Sequence, residues 1–399
     1  MSGPAAPGSA PAASKLAKYG WLKYVFVVAL LGVVAMLVPW KDQLTWKSAS
    51  GKGSAKGEIL GDWKVDEVRF RAEGTLAGAP AEVRSAVEAG AALHRTKELD
   101  WQPGMTRVFR EIDSTGLVKA LGLIFVGIFI TSTRWWLLLG AADVRARWID
   151  AVRLTSLGIF FNIVVPGLTG GDLIKAVLVA KENPGRRTAA VVSVFVDRAL
   201  GLFTLLAMGA VVLLFGNQFT EVRGTVLACV VGGALCAIVY TNSSLRRLLR
   251  VDALIARLPM SGAIKQLDEA VLIYSRHKMV VLLSFLISVG NHLLVILAIL
   301  SLGKAFGDTV LTYPDYVIVV SVGNTVSALP IAPGGWGVGE AIYAYLYTHL
   351  GAAATLGVAT SVGYHVCNIA IGLLCGLCLF LPGARADRAQ IEELRHGAS

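Results

Sequence analysis

The sequence predicts an all-α polytopic membrane protein, with about six full transmembrane helices and two re-entrant helical hairpins arranged as an inverted repeat. Three observations predict it. Of 399 residues, 55% are hydrophobic and only 16% charged, and the apolar residues are gathered into long blocks. Two stretches, 161–172 (FNIVVPGLTGGD) and 328–340 (ALPIAPGGWGVGE), place proline, glycine and a carboxylate between apolar runs too short to cross a bilayer. Sliding one stretch onto the other so that Asp172 meets Glu340 also brings Gly171 onto Gly339, Gly167 onto Gly335, Ser193 onto Ser361, Val194 onto Val362 and Asp197 onto His365. Interrupted hydrophobic segments in corresponding positions of two halves are the sequence sign of a transport site near the membrane midplane.

The formal charge of +10 argues for a membrane surface, not for nucleic acid, because the Lys and Arg residues fall on alternate connections between apolar blocks. All five cysteines, Cys229, Cys236, Cys367, Cys375 and Cys378, lie inside apolar blocks, which indicates neither a disulfide framework nor a zinc site. The C-x-x-C of Cys375 and Cys378 reads as small packing residues on an apolar helix.

In chain order, residues 1–18 read as a disordered cytoplasmic tail. Lys15, Lys18 and Lys23 lead into an uncleaved anchor within 19–40. Residues 41–113 are the one sizeable polar block, read as a small extracytoplasmic insert. It opens with a run expected to be flexible (SASGKGSAKG, 48–57), has a strand or hairpin around Trp63, Val65, Val68 and Phe70, and a helix over 80–93. The transmembrane domain is expected over 114–383. Its second span, 117–140, places Arg134 beside Trp135 and Trp136, and Arg134 is expected to snorkel to the cytoplasmic headgroups. Arg145 and Arg147 make the next connection cytoplasmic. The first broken segment, 151–180, enters and returns to a basic turn at 181–187. Spans over 188–215 and 226–240 follow, then an amphipathic pair over 245–278 on the inner leaflet. Residues 279–303 cross outward, 315–349 break and return outside, and 356–381 lead to a cytoplasmic tail at 384–399. Half one is taken as 151–240 and half two as 280–381. Had either break been a full span, the later basic loops would fall on the wrong side.

A chain interrupted in hydrocarbon must have its free backbone groups satisfied by protein or by water in a cavity. Half-helices starting near Gly171 and Gly339 present amides and a positive dipole end, a natural phosphate site. The substrate-binding candidates are therefore Asn162, Pro166, Gly167, Gly170, Gly171, Asp172, Lys175, Arg198, Pro333, Gly334, Gly335, Gly337, Gly339 and Glu340. Asp172 and Glu340 also sit where a carboxylate simply caps a helix start. Asp197 and His365 join them as candidate coupling groups, since ionisable side chains at membrane depth are expensive and face cavities or one another. Arg198 is expected to meet the phosphate, with Asp197 holding it in place. His292 reads as an interhelical contact, while Asn162, Asn324 and Asn368 fit either ligand or backbone-satisfying roles.

The run Phe161, Asn162, Pro166, Gly167, Gly170, Gly171, Asp172 and Lys175, then Val196, Asp197 and Arg198, then Pro333, Gly334, Gly335, Gly337, Gly339 and Glu340 resembles the transmembrane region of lysylphosphatidylglycerol synthases. That region defines a flippase-like superfamily, and the resemblance covers 115–383. It implies translocation of a charged or glycosylated phospholipid or polyprenyl-phosphate carrier between leaflets. It does not imply aminoacyl transfer, which in the bifunctional synthases belongs to a separate soluble domain. Arginine is common in such motifs where this chain has Lys175.

The expected function is thus a lipid translocase of the bacterial cytoplasmic membrane, with both termini inside, and not an enzyme. Its ligand is a membrane lipid; no cofactor, metal or nucleic acid is implied. The absence of a Gly-x-x-x-x-Gly-Lys-Ser/Thr sequence makes transport passive or ion-coupled. The alternatives are an intramembrane enzyme acting on a lipid phosphate and a non-transporting partner of a glycosyltransferase or envelope-lipid synthase.

Overall fold

The computed structural model describes residues 38–48, 51–164, 170–215, 219–249, 261–327 and 335–380, with positions 29, 32, 33, 35 and 36 of the first apolar run. The expected tails, most of the anchor, Pro166, Gly167, Pro333 and Gly334 lie outside the described residues.

The polar block forms an antiparallel sheet. Strands β1 (Asp42–Ser48), β2 (Gly51–Leu60), β3 (Glu67–Ala72), β4 (Leu93–His94) and β5 (Leu99–Gln102) lie in the order β4-β3-β2-β1-β5. Helix α1 (Ala81–Glu88) sits between β3 and β4, and α2 (Met105–Arg110) follows β5. The run expected to be flexible is instead the β1–β2 hairpin. Its composition misleads because the missing side chains are replaced by a neighbour's ring: Trp46 pairs with Gly53 across the strands, and a Cβ on Gly53 would lie 2.5 Å from the indole nitrogen. Alternating residues Leu44, Trp46, Ile59, Phe70 and Trp101 are buried on one face.

Arg107 on α2 ties the sheet to the chain that enters the first long helix. Its Nε donates to Asp42 Oδ2 at 2.8 Å and its Nη1 to Glu111 Oε1 at 2.8 Å, while Asp42 also accepts from the amides of Ile59 and Gly104. Both charges are buried, so every hydrogen bond they make is needed.

Below the sheet the chain is helical: α3 (Ser114–Ala141), α4 (Trp148–Val164), α5 (Gly170–Glu182), α6 (Arg187–Phe215), α7 (Thr220–Thr241), α8 (Ser243–Leu248), α9 (Ser261–Arg276), α10 (Lys278–Ala305), α11 (Tyr313–Ser327), α12 (Val338–His349) and α13 (Ala354–Cys375). Five candidate spans are long and apolar enough to cross a membrane among the described residues: Ser114–Ala141, Pro184–Phe215, Arg223–Tyr240, Lys278–Ala305 and Ala354–Leu379. The protein is a multi-pass membrane protein. Asp113 starts α3 by accepting from the amides of Thr115 and Gly116. Antiparallel α3 and α10 make the largest interface, with Gly116 against Ala305 at one end and Thr131 bonded to Asn291 further along. The sheet rests on the end of this pair, where Phe109 meets Phe306 edge-on at 5.4 Å.

Helices α4 and α5 are 17 and 13 residues long, and α11 and α12 are 15 and 12. None reaches the ~20 residues a span needs. Each pair folds back as an antiparallel hairpin, and each hairpin packs on a span of the other half: α4 on α13, where Ile163 meets Gly372, and α11 on α6, where Ser321 meets Gly209.

Candidate functional site

The tip of the first hairpin is closed by backbone contact. A Cβ on Gly171 would lie 1.8 Å from the Gly158 carbonyl oxygen, so only glycine fits where α4 crosses α5. The freed amide of Gly171 donates to Asn162 Oδ1 at 2.9 Å. Asn162 thereby satisfies broken backbone.

Around this tip the structure collects charge. Asp172, in the first turn of α5, forms an ion pair with Arg198 on α6. One turn further, Lys175 is buried with its ammonium 3.7 Å above the Trp135 ring on α3. Trp135 is fixed by its indole N–H to Ser193 Oγ at 3.1 Å.

Arg134 corrects the sequence reading. Helix α3 continues to Ala141, so Arg134 lies about 10 Å from its end at 1.5 Å per residue. It does not reach the headgroups: its Nε donates to Asp197 Oδ1 at 2.8 Å and its Nη1 to Ser288 Oγ at 2.8 Å, with both charged side chains buried. Asp197 therefore holds Arg134, not Arg198. Sequence reasoning missed Arg134 although the signal was present, a cation two turns inside an apolar helix.

The tip of the second hairpin is built differently. Gly335 and Gly337 take φ of +74° and +81°, which L side chains adopt at a cost, and turn the chain into α12. Glu340, wholly buried, accepts from the Gly337 amide through Oε2 at 2.5 Å. Its other oxygen, Oε1, has no hydrogen-bond partner among the described residues and faces His365 Nε2 on α13 at 3.5 Å. The imidazole stacks on Trp336 at 4.4 Å. Beside them, Gly339 leaves room for the hydroxyls of Ser327 and Ser361, 3.1 and 3.2 Å from where a Cβ would stand. Tyr343 donates to Asn324 Oδ1 at 3.0 Å, Asn368 bonds back to the Tyr364 carbonyl, and His292 bonds the Gly201 carbonyl between helices.

Both tips meet the following span at the same depth. Arg198 lies about eleven residues into α6 and His365 about eleven into α13, some 16 Å at helical rise. Thus Asn162, Gly170, Gly171, Asp172, Lys175 and Arg198 gather at one tip, and Gly335, Gly337, Gly339, Glu340 and His365 at the other.

The family model described as the lysylphosphatidylglycerol synthase TM region matches residues 98–376, which leaves most of the sheet outside the match. A UPF0104 membrane protein of Pyrococcus horikoshii is 22% identical over 319 residues, covering 71% of this chain and 93% of that protein. A UPF0104 membrane protein of Methanothermobacter thermautotrophicus is 24% identical over 302 residues, covering 69% and 86%. With the match spanning both hairpins and every described span but part of the last, the chain belongs to the lysylphosphatidylglycerol synthase transmembrane-region family.

Proposed function

We propose that this protein translocates an anionic lipid headgroup, that of a phospholipid or a polyprenyl-phosphate carrier, across the cytoplasmic membrane while the acyl or prenyl chains stay in the bilayer. The observation that carries this reading is the surplus cation at the first tip. Arg134, Lys175 and Arg198 stand against Asp172 and Asp197, which leaves one positive charge over. Lys175 has no carboxylate within ion-pair distance among the described residues. An uncompensated cation in hydrocarbon is costly, and a phosphate supplies the missing charge. Arg198, whose side chain is 60% exposed, is the group positioned to meet it first.

In this reading the hairpins are re-entrant, each tip at the midplane, since 16 Å is about half of the ~30 Å hydrocarbon thickness. The two halves form an inverted repeat around a polar path, and the sheet lies outside the cell with both termini inside. The opposite end of the bundle carries a cleft of about 560 Å³ whose lining includes Arg186, Arg187 and Arg276 against one carboxylate, Glu269, a net positive lining suited to the anionic inner leaflet. The headgroup moves without covalent chemistry.

The test is leaflet exchange of fluorescent phospholipids and a polyprenyl phosphate in vesicles containing the full chain. Exchange above that of empty vesicles, lost in Lys175→Met and Arg198→Ala that remain monodisperse, is the expected result. No exchange of any of these lipids would overturn the reading and shift weight to an intramembrane enzyme or a non-transporting subunit, which a chemically altered lipid would distinguish.

A further inference from the structure

The second tip carries no such surplus cation. Helices α11, α12 and α13 contain no Lys or Arg. On the elements packed around them Arg198 pairs with Asp172, Arg134 with Asp197, Lys304 with Asp308, Arg153 with Glu182 and Arg107 with Asp42, and among the described residues no Lys or Arg lies within ion-pair distance of Glu340. The groups that face the Glu340 carboxylate are the amides of Gly337 and of Glu340 itself, His365 and the hydroxyl of Ser361, with the Tyr343 phenol close by. A buried carboxylate without a cation has one economical way to become neutral, which is to bind a proton.

We propose that Glu340 and His365 form a proton-binding site that holds a single proton between Glu340 Oε1 and His365 Nε2. Three observations converge on it: the wholly buried Oε1 without a hydrogen-bond partner among the described residues, its 3.5 Å approach to Nε2, and the imidazole held in plane by Trp336. Empty, the site carries the single negative charge of the carboxylate. Uptake of one proton from hydronium breaks one of its O–H bonds, releases water, and forms one O–H bond at Glu340 Oε1 that donates to His365 Nε2, which leaves the pair neutral overall. The proposal rests on the translocator reading for its meaning: loading from one side and release to the other couples headgroup movement to the proton gradient, with the cationic tip for the lipid and this tip for the proton.

The binding step is tested without any lipid transport, by infrared titration of the purified full chain in detergent. Because the other Asp and Glu residues also protonate as pH falls, the signal is the difference between the unaltered protein and Glu340→Gln, in which one carbonyl stretch of a protonated carboxylic acid should appear. In the His365→Gln background the midpoint of that difference band should move, and in the Asp172→Asn background the band should persist. No such difference band at any pH that leaves the protein folded would overturn the site. A midpoint indifferent to His365→Gln would remove His365 from it. Should Glu340→Gln fail to fold, Glu340→Asp, which retains the acid on a shorter arm, must shift the midpoint.

Coupling is then read in vesicles by imposing a pH gradient. The unaltered protein should exchange lipid several-fold faster with the gradient than without, and His365→Gln should lose that response. Exchange indifferent to the gradient, with the infrared band present, would leave a proton site and overturn the coupling. Absence of exchange altogether would strike the translocator reading and not the titration.

Discussion

The two hairpin tips occupy corresponding places in the chain and at the same depth along the following span, yet they are chemically opposite. At the first, five charges crowd together and every carboxylate has a cation: Asp172 has Arg198 and Asp197 has Arg134. At the second, one carboxylate has an amide and a histidine. The corresponding positions make the divergence plain, because Asp197 and His365 coincide in the repeat, as do Lys175 and Tyr343. The two hairpin tips share glycines at corresponding positions and differ in the ionisable groups around them. The difference teaches that the break itself is a structural device, whereas its chemistry is set by what neighbouring spans present to it.

The contrast can be broken most forcefully at the buried ion pair. Arg134→Met leaves Asp197 buried and unpaired, and should cost about 3–5 kcal/mol, read as a large fall in thermal stability in detergent. The double variant Arg134→Met with Asp197→Leu should recover most of that loss. Equal losses in single and double variants would show that packing, and not charge, holds α3 to α6.

Next is the surplus cation. Lys175→Met should slow lipid exchange by about tenfold or more, equivalent to ~1.4 kcal/mol or above, while Lys175→Arg should retain exchange because the charge is kept. The homologous exchange at the other tip, Tyr343→Phe, removes only the bond to Asn324 and should leave exchange within about twofold, a loss well under 1 kcal/mol.

The two tips should also differ in tolerance for one methyl group. Gly171→Ala drives a Cβ into the Gly158 carbonyl and should destabilise by about 1–3 kcal/mol. Gly339→Ala meets only the ends of serine and histidine side chains at 3.1 Å or more, so its unfolding midpoint should move less. The reverse order would mean that the second tip is the tighter one. Smallest is Asn162→Ala, which removes the acceptor for the Gly171 amide and should cost about 1 kcal/mol.

Much of this was legible in the sequence. Long apolar blocks, the glycine and proline interruptions and the polar insert follow from local composition, and the five described spans coincide with apolar blocks. The sheet was harder to see, since a strand reading GKGSAKG has the composition of a linker and is a strand because Trp46 on the neighbouring strand covers Gly53. Arg134 was assigned to the wrong environment because tryptophans at 135 and 136 imitate an interfacial belt, while the helix runs on to Ala141.

By itself the sequence determined where apolar runs are long enough for a span and where glycine and proline interrupt them, because glycine, proline and apolar run length act locally. Only the tertiary structure decided which charge meets which. Asp197 and Arg198 are adjacent in sequence, yet adjacent residues on a helix point about 100° apart and do not face each other. Each must therefore find its partner on a different element, Asp197 on α3 and Arg198 on α5. Those pairings, the seat of Lys175 on Trp135 and the open oxygen of Glu340 depend on how distant helices pack, a relation that no local pattern encodes.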